Sequence, residues 1–308
     1  MTRENIPCDG EKDMEEIIMH VLIITDLEGV NGVLNFPDWC TPAGFRNETG
    51  CRFLTEEVNA AVAGFFAAGA TQVTVVDAHG SGGSIRDEIL DSRAALQRGS
   101  GSTPGKKRCD ALAFVGQHAK AGTPNAHLAH TQTPEAVDYR MNGVSLGEFG
   151  QIAYEFYNDQ QIPTIFAAGD LALTKEARDP VPGIFTTAVK EGFNPPLDST
   201  CPAGEVMPRQ SAALHYPRQQ VLAGIRRQSE LAVQKFLSDP GSFAMKPLAG
   251  PYRAEGEYRA TSPELIPLVG DWPARRIRTG FHDTVAGAFR EFYTLEWAKP
   301  EGEHYTLL

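Results

Sequence analysis

Residues 20–25 read HVLIIT, a run with no charged side chain that is short enough for a single strand. Such a run suits a strand buried on both faces, the kind found in parallel sheets covered by helices. Two acids follow at once, Asp26 and Glu28 in TDLEGVNGV. Carboxylates delivered to the end of a buried strand need partners, because an uncompensated buried charge is strongly destabilising. Gly29 and Gly32 leave the backbone free to turn close to whatever the acids face.

The same grammar repeats downstream. Phe53, Leu54, Val58, Val62, Phe65 and Phe66 fall at helical spacing, with Gly69 placed to end the helix. TQVTVVDAHG then predicts a second strand with Asp77 and His79 at its carboxyl end, completing a parallel βαβ unit. After the connector RGSGSTPGKK, ALAFVG predicts a third strand with His118 just past it, and Asn142-Gly143 marks a tight turn. SLGEFGQIAYEFY aligns Leu146, Phe149, Ile152 and Phe156 on one helical face, with Glu148 near its start. IPTIFAAGD predicts a fourth strand ending in Asp170.

Beyond Pro180 prolines crowd the chain, and a long amphipathic helix is expected over roughly 209–237. GPYRAEGEY and ARRIRTGF read as strands and TVAGAFREFYTLEWA as a closing helix. The expected fold is α/β: a mostly parallel sheet flanked by helices, with a smaller α+β C-terminal subdomain. The expected division is a flexible leader over 1–19, a metal-binding α/β core over 20–190 and the subdomain over 191–308.

Bulk properties narrow the function. A net charge of −11 over 308 residues argues against a nucleic-acid surface, which needs a basic patch. No apolar run reaches the roughly 18 residues of a membrane span. The first residues, MTRENIPCDGEKDMEEIIMH, lack the basic and apolar regions of a secretory signal. Five scattered cysteines without a CxxC pair suit reduced thiols better than a bridge such as Cys40–Cys51. Together these features predict a cytoplasmic protein with no nucleic-acid or membrane partner.

In open parallel sheets, ligands collect at the carboxyl ends of the strands. Asp26, Glu28, His79 and His118 all fall there, with His130 on the loop that follows and Glu148 at a helix start. Each alone has an ordinary explanation: a turn-capping Asp26, a solvated Glu28, a loop histidine, a first-turn Glu148 favoured by the helix dipole. Their coincidence points to a divalent metal. Three carboxylates and two imidazoles exceed the needs of one tetrahedral zinc and suit two ions with Asp26 bridging. Such a pair acidifies water and polarises a carbonyl.

Five ordered blocks, TDLEGVNGV, FLTEEVNAAVAGFFAAGATQVTVVDAHG, VGQHAKAGTPNAHLAHT, NGVSLGEFG and AAGD, resemble the D-aminopeptidase family of binuclear zinc peptidases, M55. The similarity runs over about 21–190 and continues more faintly through LHYP. The resemblance implies the same ligands, Asp26, Glu28, His79, His118 and Glu148, holding two zinc ions, with manganese or cobalt as alternatives. It implies hydrolysis of small peptides or amides at a free N-terminal amine, with D-residues such as D-alanine favoured. It also implies a homo-oligomer, in the form of a ring. The family carries a histidine proposed as nucleophile; here His127 and His130 compete, and alignment on AHT favours His130. On physical grounds a neutral imidazole serves better by stabilising the tetrahedral intermediate or carrying a proton to the leaving amine.

Several positions depart from the family. Leu171 stands where an acid is expected, and the loop 34–50 and the segment 194–208 do not align, so substrate-binding residues stay unassigned. Asp77 or Asp170 is open as a contact for the substrate ammonium, with Asp77 equally open as a support for a ligand histidine. The competing readings are another binuclear amidohydrolase or a non-catalytic metal- or peptide-binding protein. A phosphoesterase needs cations at the metals, and only Lys120, Arg46 and Arg52 lie near the motifs.

Overall fold

The computed structural model describes residues 19–99, 109–263, 266–298 and 301–308. The expected leader lies outside them apart from Met19, as does most of the Gly/Ser connector. In chain order the strands are β1 (His20–Thr25), β2 (Gln72–Asp77), β3 (Ala95–Gln97), β4 (Ala111–Gln117), β5 (Ala136–Met141), β6 (Val144–Ser145), β7 (Thr164–Asp170), β8 (Phe185–Gly192), β9 (Ala213–His215), β10 (Ala254–Tyr258), β11 (Arg275–Arg278) and β12 (Tyr305–Leu307). The α-helices are α1 (Asn47–Ala67), α2 (Glu148–Tyr154), α3 (Leu171–Arg178), α4 (Ala203–Arg209), α5 (Arg218–Ser238), α6 (Ile266–Val269) and α7 (Val285–Glu296).

Seven strands form one sheet in the order β3-β2-β1-β4-β7-β8-β9, parallel except for β9. The apolar run of β1 explains itself here. Val21 and Ile23 face a core shared with α1 and α5, while Leu22 and Ile24 face a second core shared with α2 and α7. Alternate side chains therefore enter two cores, and the strand is apolar throughout. The second sheet is antiparallel, β12-β11-β10-β5-β6. The fold is thus α/β with a mostly parallel sheet between helices and an added antiparallel sheet.

The expected boundary near residue 190 does not coincide with a change of sheet. β9 and α5, beyond it, join the parallel layer; β5 and β6, before it, pair with β10. The Asn142-Gly143 turn joins β5 to β6, both residues at positive φ (52° and 81°) as that hairpin requires. One expectation needs correction. The helix expected over 209–237 starts at Arg218, because residues 213–215 pair with β8 as β9 and Pro217 sets the helix start. Among the described residues, no helix is long and apolar enough to cross a membrane.

Candidate metal centre

β1 and β4 are neighbours, and their carboxyl ends crowd together. Beyond β1, the Asp26 amide donates to the Val115 carbonyl (3.0 Å) and the Gly29 amide to the Gly116 carbonyl (2.8 Å). The acid-bearing turn therefore lies along the end of β4. A Cβ on Gly29 would fall 2.0 Å from the Gln117 carbonyl oxygen, and one on Gly116 2.0 Å from that of Asp26. Gly116 also holds φ at +78°, where the β4–β7 register shifts and the chain turns Gln117 and His118 toward the acids.

All five predicted metal-binding side chains converge. His79 Nδ1 lies 3.0 Å from Asp26 Oδ1 and 3.1 Å from Glu28 Oε2. His118 Nε2 lies 3.1 Å from Asp26 Oδ2 and 3.6 Å from Glu148 Oε1. Asp26 therefore stands between the two histidines, one oxygen toward each. His130 joins them, its Nε2 4.0 Å from Glu148 Oε1 and its ring stacked on His118 at 4.0 Å. Ligand atoms of Asp26, Glu28 and His118 form one group within 4.8 Å of one another, and those of His118, His130 and Glu148 a second.

The ring orientations test whether these residues fit a cation. His79 Nε2 meets the Cys40 carbonyl at 2.7 Å, His118 Nδ1 the Ala119 carbonyl at 2.9 Å and His130 Nδ1 the Leu128 carbonyl at 2.9 Å. A carbonyl only accepts, so each ring donates an N–H outward and turns its other nitrogen onto the carboxylates. Glu28 Oε2 and His118 Nε2 are buried there without a hydrogen-bond partner. Lone pairs facing lone pairs need something positive between them. The donor set fits divalent ions held by carboxylate and imidazole, with the outward bonds fixing the ligand tautomers.

The electrostatics agree. Burial opposes charge on His79 and His118, yet the carboxylates outweigh it: Glu28 and Asp26 hold His79 well above its ordinary value, and Glu148, Asp26 and Glu28 push His118 up to about 10. Burial likewise opposes the Asp26 carboxylate, but His118 and His79 hold it well below the usual range. The carboxylates therefore favour positive charge at both imidazoles. His130 goes the other way: burial and the charge on His118 lower it, leaving a neutral imidazole.

Other residues named from the sequence lie elsewhere. His127 donates to the Leu34 carbonyl (3.1 Å) and packs on His215, and burial lowers it to about 2, consistent with a packing role. Asp77 accepts from the Ser84 and Ile85 amides (3.1 and 3.0 Å), closing the turn that carries His79. Asp170 caps α3 through the Leu173 amide (3.1 Å). Both are buried and neither lines the cavity over the centre, so neither meets an ammonium there. Cys40, Cys51, Cys109 and Cys201 are free and buried.

The sequence reading missed Gln117, whose side-chain amide donates to Asp26 Oδ2 (3.1 Å), and Gln132, whose backbone amide donates to Glu148 Oε1 (2.7 Å). Gln117 immediately precedes His118, which was the only signal available for it. The cavity over the centre holds about 850 Å3. Both unaligned segments wall it, Phe36 and Pro42 from the first and Met207 and Pro208 from the second, and Ile152 of α2 lines it as well. Its only charged or titratable lining side chains are Asp26, Glu28, Glu148, His79, His130 and Cys40 among the described residues.

The chain is 32% identical over 182 residues to a D-aminopeptidase of Bacillus subtilis (strain 168), a stretch covering 56% of this chain and 64% of that relative. It shares its fold with a solved Zn-dependent D-aminopeptidase from Bacillus subtilis, described as a self-compartmentalizing protease. The TM-score is 0.72 at 21% identity, covering 90% of this chain and 96% of the other. The model of the D-aminopeptidase family, peptidase M55, matches residues 19–290, and the chain belongs to that family.

Proposed function

We propose that the chain is a metal-dependent aminopeptidase that releases D-amino acids from small peptides or amides with a free N-terminal amine. One observation carries this reading: three imidazoles, His118 and His130 buried and His79 half-buried, are each anchored outward on a carbonyl and turn their free nitrogens onto Asp26, Glu28 and Glu148. Asp26, Glu28, His79, His118 and Glu148 would hold two zinc ions; the zinc dependence of the structural relative supports that metal over manganese or cobalt. Ions bound there would acidify a water and polarise the scissile carbonyl.

The protein's own groups do the rest. Gln117 and the Leu27 amide (2.8 Å) orient Asp26, and the Gln132 amide orients Glu148. His130 donates from Nδ1 to Leu128, so its neutral Nε2 accepts rather than donates. That tautomer suits a base which takes a proton at Nε2 and returns it to the leaving amine, more than a neutral oxyanion donor. The acids draw the substrate ammonium to the cavity, and the Phe36, Ile152 and Met207 walls take its apolar parts.

The phosphoesterase reading has little support. Lys120 is committed to Ser145 (2.8 Å), Arg52 lies beside Glu56, Arg46 stacks on Phe45, and none of them lines the cavity. The self-compartmentalizing relative supports a homo-oligomeric ring, and the free cysteines support a cytoplasmic site of action. Native mass spectrometry tests the centre. Wild-type protein is expected to take up two zinc ions per chain, and Glu28→Gln or His118→Ala fewer. A wild-type chain that takes up none overturns the reading, and two ions without turnover would favour a binding protein.

A further inference from the structure

Lys190 has no place in the chemistry above, yet it is fully buried on β8 and points into the turn that carries Glu28. Its ammonium donates to the carbonyls of Glu28 (2.6 Å), Val30 (3.0 Å) and Val33 (3.3 Å). An ammonium has three donors, and here each meets one carbonyl. The rest of the turn is held in the same manner. The Asn31 amide donates to Glu57 Oε1 (2.9 Å) and the Gly32 amide to His215 Nδ1 (2.9 Å), while the Asn31 side chain donates to the Val189 and Tyr216 carbonyls (2.7 and 3.0 Å).

The need for such a clamp follows from burial. Leu27, Glu28, Val30, Asn31 and Val33 are all buried, so no water reaches carbonyls that neither helix nor sheet satisfies. A buried ammonium carries a large desolvation cost, and a side chain serving only to fill space there would be apolar. The turn is short, and its first residue carries a metal-facing carboxylate. Movement of the Val30 or Val33 carbonyl therefore moves Glu28.

We propose that Lys190 is a positioning residue: its ammonium gathers the carbonyls of Glu28, Val30 and Val33 and so fixes the turn that aims the Glu28 carboxylate at His79. This rests on the reading of the cluster as a metal centre. A ligand support of this type governs metal affinity without touching the ion.

The test compares wild-type protein with Lys190→Met, which keeps the length and loses the donors, and Lys190→Gln, which keeps part of them. In Lys190→Met, zinc affinity is expected to fall roughly 10–100-fold, and the visible absorption of the cobalt-loaded protein to change. In metal-free protein, hydrogen exchange of the Asn31 and Gly32 amides is expected to quicken about tenfold while α1 and α5 keep their protection. Lys190→Gln is expected to fall between, and it carries the test if the Met variant does not fold. Wild-type affinity and cobalt absorption in the variants, or unchanged exchange in the turn, overturns the proposal. Wild-type protein that takes up neither zinc nor cobalt would instead overturn the metal centre, and the exchange rates would still decide whether Lys190 holds the turn.

Discussion

His118 and His130 lie face to face, their ring centroids 4.0 Å apart and their planes 9° from parallel. The stack places His118 Nε2 and His130 Nε2 side by side over Glu148 Oε1, at 3.6 and 4.0 Å. Burial, and then the charge on the stacked His118, lower His130 below its ordinary value.

From this pairing, His130→Gln is expected to retain both zinc ions and to lose kcat by roughly 10²–10⁴-fold, the range of a lost general acid–base group. Metal content and kcat measured on the same preparation check it. Near-full activity with metal retained would remove His130 from the reaction.

Metal uptake is expected to release protons. In the metal-free protein, His79 is held well above its ordinary value and His118 is pushed up to about 10, so both carry protons at pH 7. Cations need those lone pairs, so affinity rises with pH toward about 10 and falls in acid. Calorimetric titration in buffers of different ionisation enthalpy reads the protons released. Heat independent of buffer, with affinity independent of pH, would contradict the placement of these imidazoles.

Gly116→Ala is expected to lower the thermal midpoint and weaken metal binding together. The left-handed backbone costs an alanine about 1–2 kcal/mol. The added Cβ would also sit 2.0 Å from the Asp26 carbonyl oxygen. Gly143→Ala is the control, because its φ of +81° carries the backbone cost and nothing lies within 4 Å. Equal midpoints for the two variants would show that the approach of β4 to the acid turn is not tight.

Glu57 gives a pH signature in stability. Burial pushes this carboxyl up to about 7, above its ordinary value of 4.5, despite the nearby Arg218. The protonated form is the one the fold prefers. Its contribution is fully present below about pH 4.5 and is lost as pH rises through about 7. Glu57→Gln keeps an acceptor for the Asn31 amide, so it is expected to match wild type in acid and exceed it at pH 8. Denaturant unfolding across that range checks the sign; a variant weaker than wild type at pH 8 would reverse it.

The legible part of this protein was local. β1, β2, β4 and β7 announced themselves as short apolar runs, and the residues just past the first three, Asp26, Glu28, His79 and His118, are those the fold brings together. Glu148 was visible as an acid opening a helix. What the sequence hid depends on partners far away along the chain. Lys190 meets a turn about 160 residues earlier, and a lysine in a strand reads as an ordinary exposed position. β5 pairs with β10 more than 100 residues later, so the interleaving of the two sheets left no local trace. The start of α5 was obscured by β9, whose three residues are extended only because β8 offers an edge.

The central claim is that the acids at the end of β1 serve a metal centre that cleaves amides behind a free D-configured amine. Ammonia release from D-alaninamide and L-alaninamide, by protein stripped of metal and then reloaded with zinc, tests it most directly. The account predicts no turnover in the stripped protein, restoration by zinc, and cleavage of the D-amide alone. Equal rates with and without metal, or cleavage confined to the L-amide, would contradict it.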